Sequence, residues 1–438
     1  MNDIIEYDLV VLGGGTAGRS AAKYAAEKDT RVCLVHNDLL PFSIFWEMAL
    51  SASAGSIDLA GIREAAREDW AKKLAALKNA EISMESGSGI LINNTQVSIQ
   101  GREGNKIVKA KSIIIATGSR AKPNLVIPFD GQRIISSDDI AGLDSFPDNI
   151  LVVSGGKTGC EIAKFLKCLG KKVFLCDEHA KLIPEQDPEI SSALEEGLKN
   201  QKIKLLLDRK IQSIFKEDEK INITLNGGIK FSVAMIVFTG KRCGNTSGLG
   251  IDDIGVRLGE NDEVWVNENM ETSIAGVYAV GSVTGRGRSN TMSEEEGKVA
   301  ASNALGIPAS LNPDHIPLII QVDPEIACVG CYYDSAHYKG YRGVEGRSGA
   351  IAGTPDDSAG ETSGLCMVLA DKSSKKIIGV QICGNSAEEA IRQAAKAIKE
   401  GLTVSGLLKN QSGFKISHPG FVKSAKACLK ALKTGMRA

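Results

Sequence analysis

A strand that ends in glycines and runs directly into a helix occurs twice in this chain, and this repeat limits the possible folds most strongly. The first copy begins with an apolar strand, Tyr7 to Leu12, followed by the turn GGGTAG at 13–18, a helix and a second strand, Arg31 to Val35. This pattern is a βαβ unit with G-x-G-x-x-G at its first turn. Such glycines let the backbone approach a pyrophosphate, whose charge lies at the helix N-terminus.

The second copy lies near the middle of the chain. A strand from Ile150 to Val153 leads into the turn SGGKTG at 154–159, a helix over 161–169 and a strand from Val173 to Cys176. Asp177 closes that strand, and an acid there binds both hydroxyls of an adenosine ribose and repels a 2′-phosphate. The second unit is therefore predicted to prefer NAD over NADP, and two such units imply two nucleotide cofactors.

Composition and charge exclude several classes of protein. Lys and Arg number 52 against 53 Asp and Glu, so nothing indicates a nucleic-acid partner. No apolar run approaches membrane-spanning length, and the first motif starts too early to leave room for a signal peptide. The ten cysteines lack the regular spacing of a secreted disulfide framework. We therefore expect a cytoplasmic protein with no membrane partner.

Cys328-x-x-Cys331 has the spacing of a redox pair or of half a zinc site. No second pair lies nearby, and the context PEIACVGC is typical of a strand. Buried structural cysteines are the alternative interpretation, and no metal ligands are assigned.

The last third of the chain lacks the strand–glycine–helix pattern and predicts antiparallel strands and helices instead. Segments 316–322, 366–371 and 376–384 read as antiparallel strands, and Ser386-x-x-Glu389 predicts a capping box that opens a helix. A final helix is expected after His418-Pro419. The predicted fold is thus α/β, with two Rossmann-like nucleotide-binding domains and a C-terminal α+β module.

A collinear series of motifs covers nearly the whole chain. It runs through YDLVVLGGGTAG, IIIATGSRAKP, LVVSGGKTGCEIA, YAVGSVTG, IPLIIQVDPEIACVG and SHPG. The series resembles the class I pyridine nucleotide–disulfide oxidoreductases, and dihydrolipoamide dehydrogenases most closely. This resemblance implies an FAD domain over 1–120 and 246–308, an NAD domain over 121–245 and a dimerisation domain over 312–438. It also implies a homodimer.

The resemblance assigns site residues as well. The implied FAD site comprises Gly13, Gly14, Gly15, Thr16, Ala17, Gly18, His36, Asn37, Thr117, Gly118, Gly281 and Ser282. The implied NAD site comprises Gly155, Gly156, Gly159, Glu161, Asp177 and Gly240. Glu161 and His418 are the implied catalytic residues.

The sequence departs from the family where the disulfide chemistry is expected. The family carries a Cys-x4-Cys pair followed by a lysine, but this chain has no cysteine at 34–159 and no lysine at 29–71. The acid that orients the family's histidine falls at Lys423. Because a disulfide relay needs two sulfurs, classical disulfide reductase activity is not expected.

The cofactor motifs also differ from the family pattern. The acid after the first unit falls on His36, with Asp38 as a substitute, and the aspartate that holds the ribityl chain falls on Ser282. In the second turn the family's first glycine falls on Ser154, and Lys157 and Thr158 replace bulkier residues that cover the flavin in the family.

Two interpretations of Glu161 stay open at this point. The resemblance makes it a carboxylate beside the nicotinamide, without the family's lysine partner. Alternatively, it is an acid near the start of a helix, stabilised by the helix dipole.

Two functions follow as expectations. The first is an enzyme that passes electrons from NADH through a flavin to a small-molecule or protein acceptor other than a disulfide, such as a quinone, a carrier or a second nucleotide. The alternative is a catalytically degenerate relative that serves as a binding, scaffold or regulatory dimer.

Overall fold

The computed structural model describes residues 5–37, 39–51, 58–102, 104–122, 126–286, 289–349, 364–409 and 416–434. Its strands are β1 Ile5–Leu12, β2 Val32–His36, β3 Ser83–Asn93, β4 Gln96–Gly101, β5 Gly104–Ile115, β6 Ser119–Ala121, β7 Ile134–Ser136, β8 Asn149–Val153, β9 Lys172–Cys176, β10 Lys204–Leu206, β11 Ile211–Lys216, β12 Ile221–Leu225, β13 Lys230–Val233, β14 Met235–Phe238, β15 Arg242–Gly244, β16 Val277–Ala279, β17 Leu318–Ile320, β18 Ile326–Gly330, β19 Gly343–Ser348, β20 Gly364–Asp371 and β21 Ile377–Gly384.

The α-helices of the described residues are α1 Thr16–Ala26, α2 Phe42–Ser51, α3 Leu59–Asn79, α4 Lys157–Cys168, α5 Pro188–Asn200, α6 Asn290–Ala304, α7 Tyr333–Ala336, α8 Ala387–Lys399, α9 Val404–Leu408 and α10 Pro419–Thr434. Short 3-10 helices lie at Ser137–Gly142, Asn226–Gly228, Gly281–Thr284, Pro313–His315 and His337–Lys339. No described helix is both long enough and apolar enough to cross a bilayer.

The chain folds into two compact units, and the first comprises residues 1–131, 135–146 and 240–312. Its parallel strands lie in the order β3-β2-β1-β5-β16, and β4 pairs antiparallel with β3 and β5. The apolar runs at 9–12, 32–35, 113–115 and 277–279 are buried, as expected of strands covered on both faces. Helix α1 packs closely on α6, because a Cβ at Gly297 would lie 2.4 Å from the Ala17 carbonyl oxygen.

The second unit comprises residues 132–134, 147–239 and 313–438. Its parallel strands β10, β9, β8 and β14 pair in that order, and α4 connects β8 to β9. Strands β11, β12 and β13, which lie between β10 and β14 in the sequence, form a separate small antiparallel sheet. The βαβ pattern predicted around residues 150–177 is therefore present.

The C-terminal part of the second unit is an antiparallel sheet in the order β17-β18-β21-β20-β19. Helices α8 and α10 bury their apolar faces against this sheet, with Ile391 and Phe421 fully buried in the shared core. The predicted α/β fold with two Rossmann-like units and a C-terminal α+β module is confirmed. The predicted capping box is wrong, because Ser386 takes a left-handed φ of +58° and its side chain makes no capping hydrogen bond.

The cysteines are all free thiols in the described part of the chain, and only Cys168 is not fully buried. Burial raises the pKa of Cys33 to about 12 and also raises the pKa values of Cys328 and Cys331. Cys328 lies in β18, where its thiol faces the Gln381 side-chain oxygen at 3.7 Å. These surroundings favour the interpretation of Cys328 and Cys331 as buried structural cysteines.

Candidate functional site

The first glycine turn follows β1 and forms the N-terminus of α1. Gly13 has a φ of +121°, and a Cβ there would lie 2.2 Å from the Ala116 carbonyl oxygen. A Cβ at Gly18 would lie 1.9 Å from the Gly13 carbonyl oxygen. A Cβ at Gly15, in contrast, would meet nothing within 4 Å, and Gly15 caps α1 without a side-chain hydrogen bond. The turn is therefore closed on the sheet side and open above the helix N-terminus, and helix N-termini with open backbone amides can receive anions.

The remaining residues of this turn contact neighbouring elements. Gly14 lies against His36, since a Cβ at Gly14 would be 2.8 Å from the His36 Cβ. Arg19 donates to the Gly14 carbonyl oxygen at 2.8 Å, and the Thr16 hydroxyl lies 3.4 Å from that of Ser43. Ala17 is buried against the turn at 281.

His36 ends β2, where the family places an acid. Its Nδ1 lies 2.9 Å from the carbonyl oxygen of Asn37, which can only accept, so Nδ1 carries the proton. In the neutral ring Nε2 is then the one acceptor, whereas a carboxylate offers two oxygens. The proposed substitute, Asp38, lies outside the described residues.

The turn at Thr117-Gly118, after β5, contacts residues after β15 and β16. The Thr117 hydroxyl donates to the Asn245 carbonyl oxygen at 2.7 Å, and the side-chain Nδ2 of Asn245 donates back to the Thr117 carbonyl oxygen at 3.1 Å. Gly118 has a φ of +79°, and a Cβ there would lie 3.7 Å from the Ser282 hydroxyl. The fold thus brings together the predicted FAD residues of three separate segments.

Glu296 is a functional candidate that sequence reasoning missed. This residue of α6 is fully buried, and one carboxylate oxygen accepts from the Gly281 amide at 2.6 Å. Its other oxygen has no hydrogen-bond partner among the described residues. Burial raises the pKa of Glu296 to about 7. The acidic run at 294–296 was the available signal, but such a run is also typical of an exposed helix face.

The second glycine turn repeats the first with one substitution. Ser154 takes a φ of +111°, and a Cβ at Gly159 would lie 1.8 Å from its carbonyl oxygen. Gly156 is the N-cap residue of α4 and offers no side-chain hydrogen bond to the helix. Its backbone amide lies 3.5 Å from the Ser154 hydroxyl. The serine hydroxyl therefore lies beside one of the backbone amides at the N-terminus of α4.

Asp177 lies at the carboxyl end of β9, as predicted. One carboxylate oxygen accepts from the Gly155 amide, and the other accepts from the His179 amide at 2.8 Å and the His179 ring at 2.7 Å. The side chain is 11% exposed. Asp177 thus joins the glycine turn to β9, and a ribose would share the carboxylate with these donors.

Glu161 pairs with a lysine of its own helix, whereas the lysine that the family supplies from the segment after its cysteine pair is absent at 29–71. Lys157, one turn earlier on α4, forms an ion pair with Glu161, whose side chain is only 2% exposed. The Gln321 amide donates to the same carboxylate at 3.1 Å. The spacing of four residues was a visible signal for this pair.

His418 and Gly240 complete the predicted set. The His418 Nδ1 accepts from the Phe421 amide at 3.2 Å, and Nε2 lies 3.3 Å from the Asn385 carbonyl oxygen. In this arrangement the imidazole serves as the N-terminal cap of α10. Gly240 follows Thr239 at the carboxyl end of β14. Among the residues described, no cluster of His, Cys, Asp and Glu could hold a metal ion.

Comparison with protein families places these turns in a known context. Residues 7–301 match the family described as pyridine nucleotide-disulphide oxidoreductase. Residues 316–422 match the dimerisation domain of the same family.

Curated relatives agree with this match. A dihydrolipoyl dehydrogenase from Chlamydia muridarum is 28% identical over 429 residues, covering 91% of each chain. A leghemoglobin reductase from Vigna unguiculata is also 28% identical, covering 90% of this chain and 82% of its own.

Solved structures share the fold. LpdA from Mycobacterium tuberculosis superposes with a TM-score of 0.83 at 22% identity, covering 99% of this chain and all of that one. The flavoprotein disulfide reductase RclA from Escherichia coli gives 0.80 at 19% identity, covering 96% and 98%. FAD and NAD(H) are the cofactors of this group of oxidoreductases. With its two glycine turns and its C-terminal module, the chain belongs to the pyridine nucleotide-disulphide oxidoreductase family.

Proposed function

We propose that this protein is an FAD-dependent oxidoreductase that takes electrons from NADH and passes them to an acceptor other than a disulfide. The acceptor class is a quinone, an electron carrier or a second nucleotide. The observation that supports the proposal is the presence of two glycine-capped helix N-termini in one chain, at Gly15 and Gly156. A helix N-terminus of this kind is suited to receive a pyrophosphate.

The first unit would hold FAD. Gly15 provides the open space for the pyrophosphate, while Gly13 and Gly18 keep the backbone close to the sheet. His36 would accept from a ribose hydroxyl through Nε2, and the Thr117-Gly118 and Gly281-Ser282 turns would line the flavin half. Bound FAD supplies a ring that accepts a hydride and releases electrons. We assign residues 1–120 and 246–308 to this domain.

The second unit would hold NAD(H), with residues 121–245 as its domain. Gly155, Gly156 and Gly159 would receive the pyrophosphate, and Asp177 would bind the ribose hydroxyls. Glu161 would lie beside the nicotinamide, and Gly240 would line the same side. Residues 312–438 would form the dimerisation domain of a cytoplasmic homodimer, for which the match over 316–422 is the support.

The lack of cysteine where the family carries its redox pair supports a non-disulfide acceptor. No cysteine occurs at 34–159, and the described thiols elsewhere are free and nearly all buried. His418 would normally be the second half of a disulfide relay, as the general base. Its Nδ1 accepts from a backbone amide, so no carboxylate polarises the ring from that side. We keep His418 as a candidate only for a proton step at Nε2.

Spectroscopy of the purified protein tests the proposal. We expect flavin bands in the visible spectrum, bleaching of those bands by NADH without oxygen, and their return on addition of a quinone. Lipoamide and glutathione disulfide should give no turnover. A colourless protein that FAD cannot reconstitute, or robust lipoamide turnover that survives Cys328→Ser and Cys331→Ser, would contradict it.

A degenerate binding or scaffold dimer is the second candidate. It is favoured by Ser154, which adopts a conformation suited to glycine, and by the protein donors that already engage Asp177. For this candidate we expect a stable dimer that binds neither FAD nor NADH.

A further inference from the structure

Helix α4 presents three charged side chains to one edge of the C-terminal sheet. Strand β17 is the edge strand of that sheet, so no described strand pairs with its outer backbone groups. Lys157 donates to the Ile319 carbonyl oxygen at 2.5 Å, and Lys164 donates to the Gln321 carbonyl oxygen at 3.2 Å. The Gln321 amide donates to Glu161 at 3.1 Å. Side chains of α4 are thus held to residues 319 and 321 by hydrogen bonds in both directions.

Lys157 differs from the other residues in these contacts because it also forms an ion pair with Glu161. The Glu161 side chain is 2% exposed, and a carboxylate so buried is strongly unfavourable unless a cation neutralises it. Lys157 supplies that cation from the preceding turn of the same helix, with 24% of its side chain exposed. The pair therefore contributes no net charge at the beginning of α4.

The net charge matters because the two redox states of the dinucleotide differ at the ring. The oxidised nicotinamide is a cation and the reduced ring is neutral. A lone buried carboxylate beside the ring would favour the oxidised form by Coulomb attraction. A neutral pair removes that attraction, and the positive end of the α4 dipole adds a small repulsion.

We propose that Lys157 is a specificity-determining residue that makes the site select the reduced dinucleotide, by cancelling the charge of Glu161. The inference rests on the proposed placement of Glu161 beside the nicotinamide. The proposed function says which nucleotide binds, and this inference adds which redox state of that nucleotide binds more tightly. Weaker binding of the oxidised form would favour its release as the product.

A charge cycle on the full-length protein tests the inference. NADH binding is measured through the fluorescence of the nucleotide, and NAD⁺ binding through its displacement of NADH. Lys157→Met leaves a net charge of −1, Glu161→Gln leaves +1, and the double variant leaves zero. We expect the ratio of NAD⁺ affinity to NADH affinity to rise about tenfold in Lys157→Met and to fall about as much in Glu161→Gln.

The double variant and Lys157→Arg should return the ratio close to that of the wild type, which keeps the test valid if a single variant folds poorly. Lys164→Met is the matched control, because it removes a lysine from the same helix and the same strand edge without touching Glu161. Its ratio should not change.

Four outcomes would overturn the inference. The first is that single variants weaken both nucleotides equally, which would make the pair purely structural. The second is that Lys164→Met shifts the ratio as much as Lys157→Met does. The third is that the charge variants bind NADH normally and the ratio does not change, which would overturn this inference alone. The fourth is that the wild type binds neither nucleotide, which would overturn the proposed function as well.

Discussion

Ser154 and Gly13 occupy the same position in the two glycine turns and have nearly the same backbone conformation, with φ of +111° and +121°. Each is the first residue after a central parallel strand, and each carbonyl oxygen lies within 2 Å of the Cβ that the last glycine of its turn would carry. The geometry of the turn is therefore set by the close contact of helix and strand. Ser154 adopts it although it carries a Cβ.

Ser154→Gly should stabilise the protein by about 1 kcal/mol. The strain of a non-glycine residue in this region is roughly 1–3 kcal/mol, and the greater freedom of glycine in the unfolded chain offsets about 0.5–1 kcal/mol of it. The variant should also bind dinucleotide more tightly, since the hydroxyl beside the Gly156 amide is removed. Chemical denaturation and NADH titration measure the two effects.

Gly13→Ser is the matched control in the first turn. The new Cβ would lie 2.2 Å from the Ala116 carbonyl oxygen, so this variant should be destabilised. Equal stability of wild type and Ser154→Gly would show that the second turn has relaxed to accept serine.

The glycine turns and strands could be predicted because their signals are local. Each apolar run before a turn became a buried parallel strand, and Asp177 lies where the spacing put it. Strand β3 was not predicted, because its sequence SMESGSGILIN has no regular alternation. The Lys157–Glu161 spacing is local too, but its anchor, Ile319, lies 162 residues away from Lys157 in the sequence. Burial of Glu296 depends on how closely α6 packs on α1, which no pattern in α6 reveals.

Gly15→Leu should abolish FAD retention while leaving the fold intact. A side chain at this position enters the space above the α1 N-terminus without meeting protein atoms within 4 Å. Leucine is a poorer N-cap than glycine, which costs the apoprotein at most about 1 kcal/mol. Flavin content after gel filtration and thermal melting of the apoprotein are the measurements.

Gly142→Leu serves as the control, since a Cβ at Gly142 also meets nothing within 4 Å and the residue lies in the same unit. It should keep its flavin. Full flavin content in Gly15→Leu would show that FAD does not bind over this turn.

Asp177→Asn should reduce the preference for NADH over NADPH by roughly 1–3 kcal/mol. The amide removes the charge that repels a 2′-phosphate and weakens the charge-assisted bonds to the ribose. Asparagine keeps the size of the side chain, so the contacts with Gly155 and His179 are disturbed less than by alanine. Calorimetric titration of both nucleotides decides it, and tighter NADPH binding to the wild type would refute the role of Asp177.

Glu296 should make the stability of the protein depend on pH. The folded state keeps the Glu296 proton up to a pKa of about 7, whereas the unfolded chain releases it near the ordinary value of 4.5. The free energy of unfolding should therefore fall by about 3 kcal/mol as the pH rises from 4.5 to 7, and this contribution should be constant above that range.

Glu296→Gln isolates this contribution, because the amide oxygen still accepts from Gly281 but no proton is lost. Denaturation curves of both proteins across the pH range are compared, and the difference between them is the contribution of Glu296. Parallel curves would mean that the carboxyl group titrates in the same way in the folded and unfolded states.

The buried cysteines can report local unfolding of the segments that contain them. They are distributed over β2, α4, β9, β15, β18, the residue that follows β18, β20, β21 and α10, so both units carry them. Alkylating reagents react with thiolates, so a closed native molecule should be labelled quickly at Cys168 and slowly at the others. The rate at each slow site then measures how often its segment separates from the core. A labelling experiment read by mass spectrometry would rank the segments by local stability without any engineered probe.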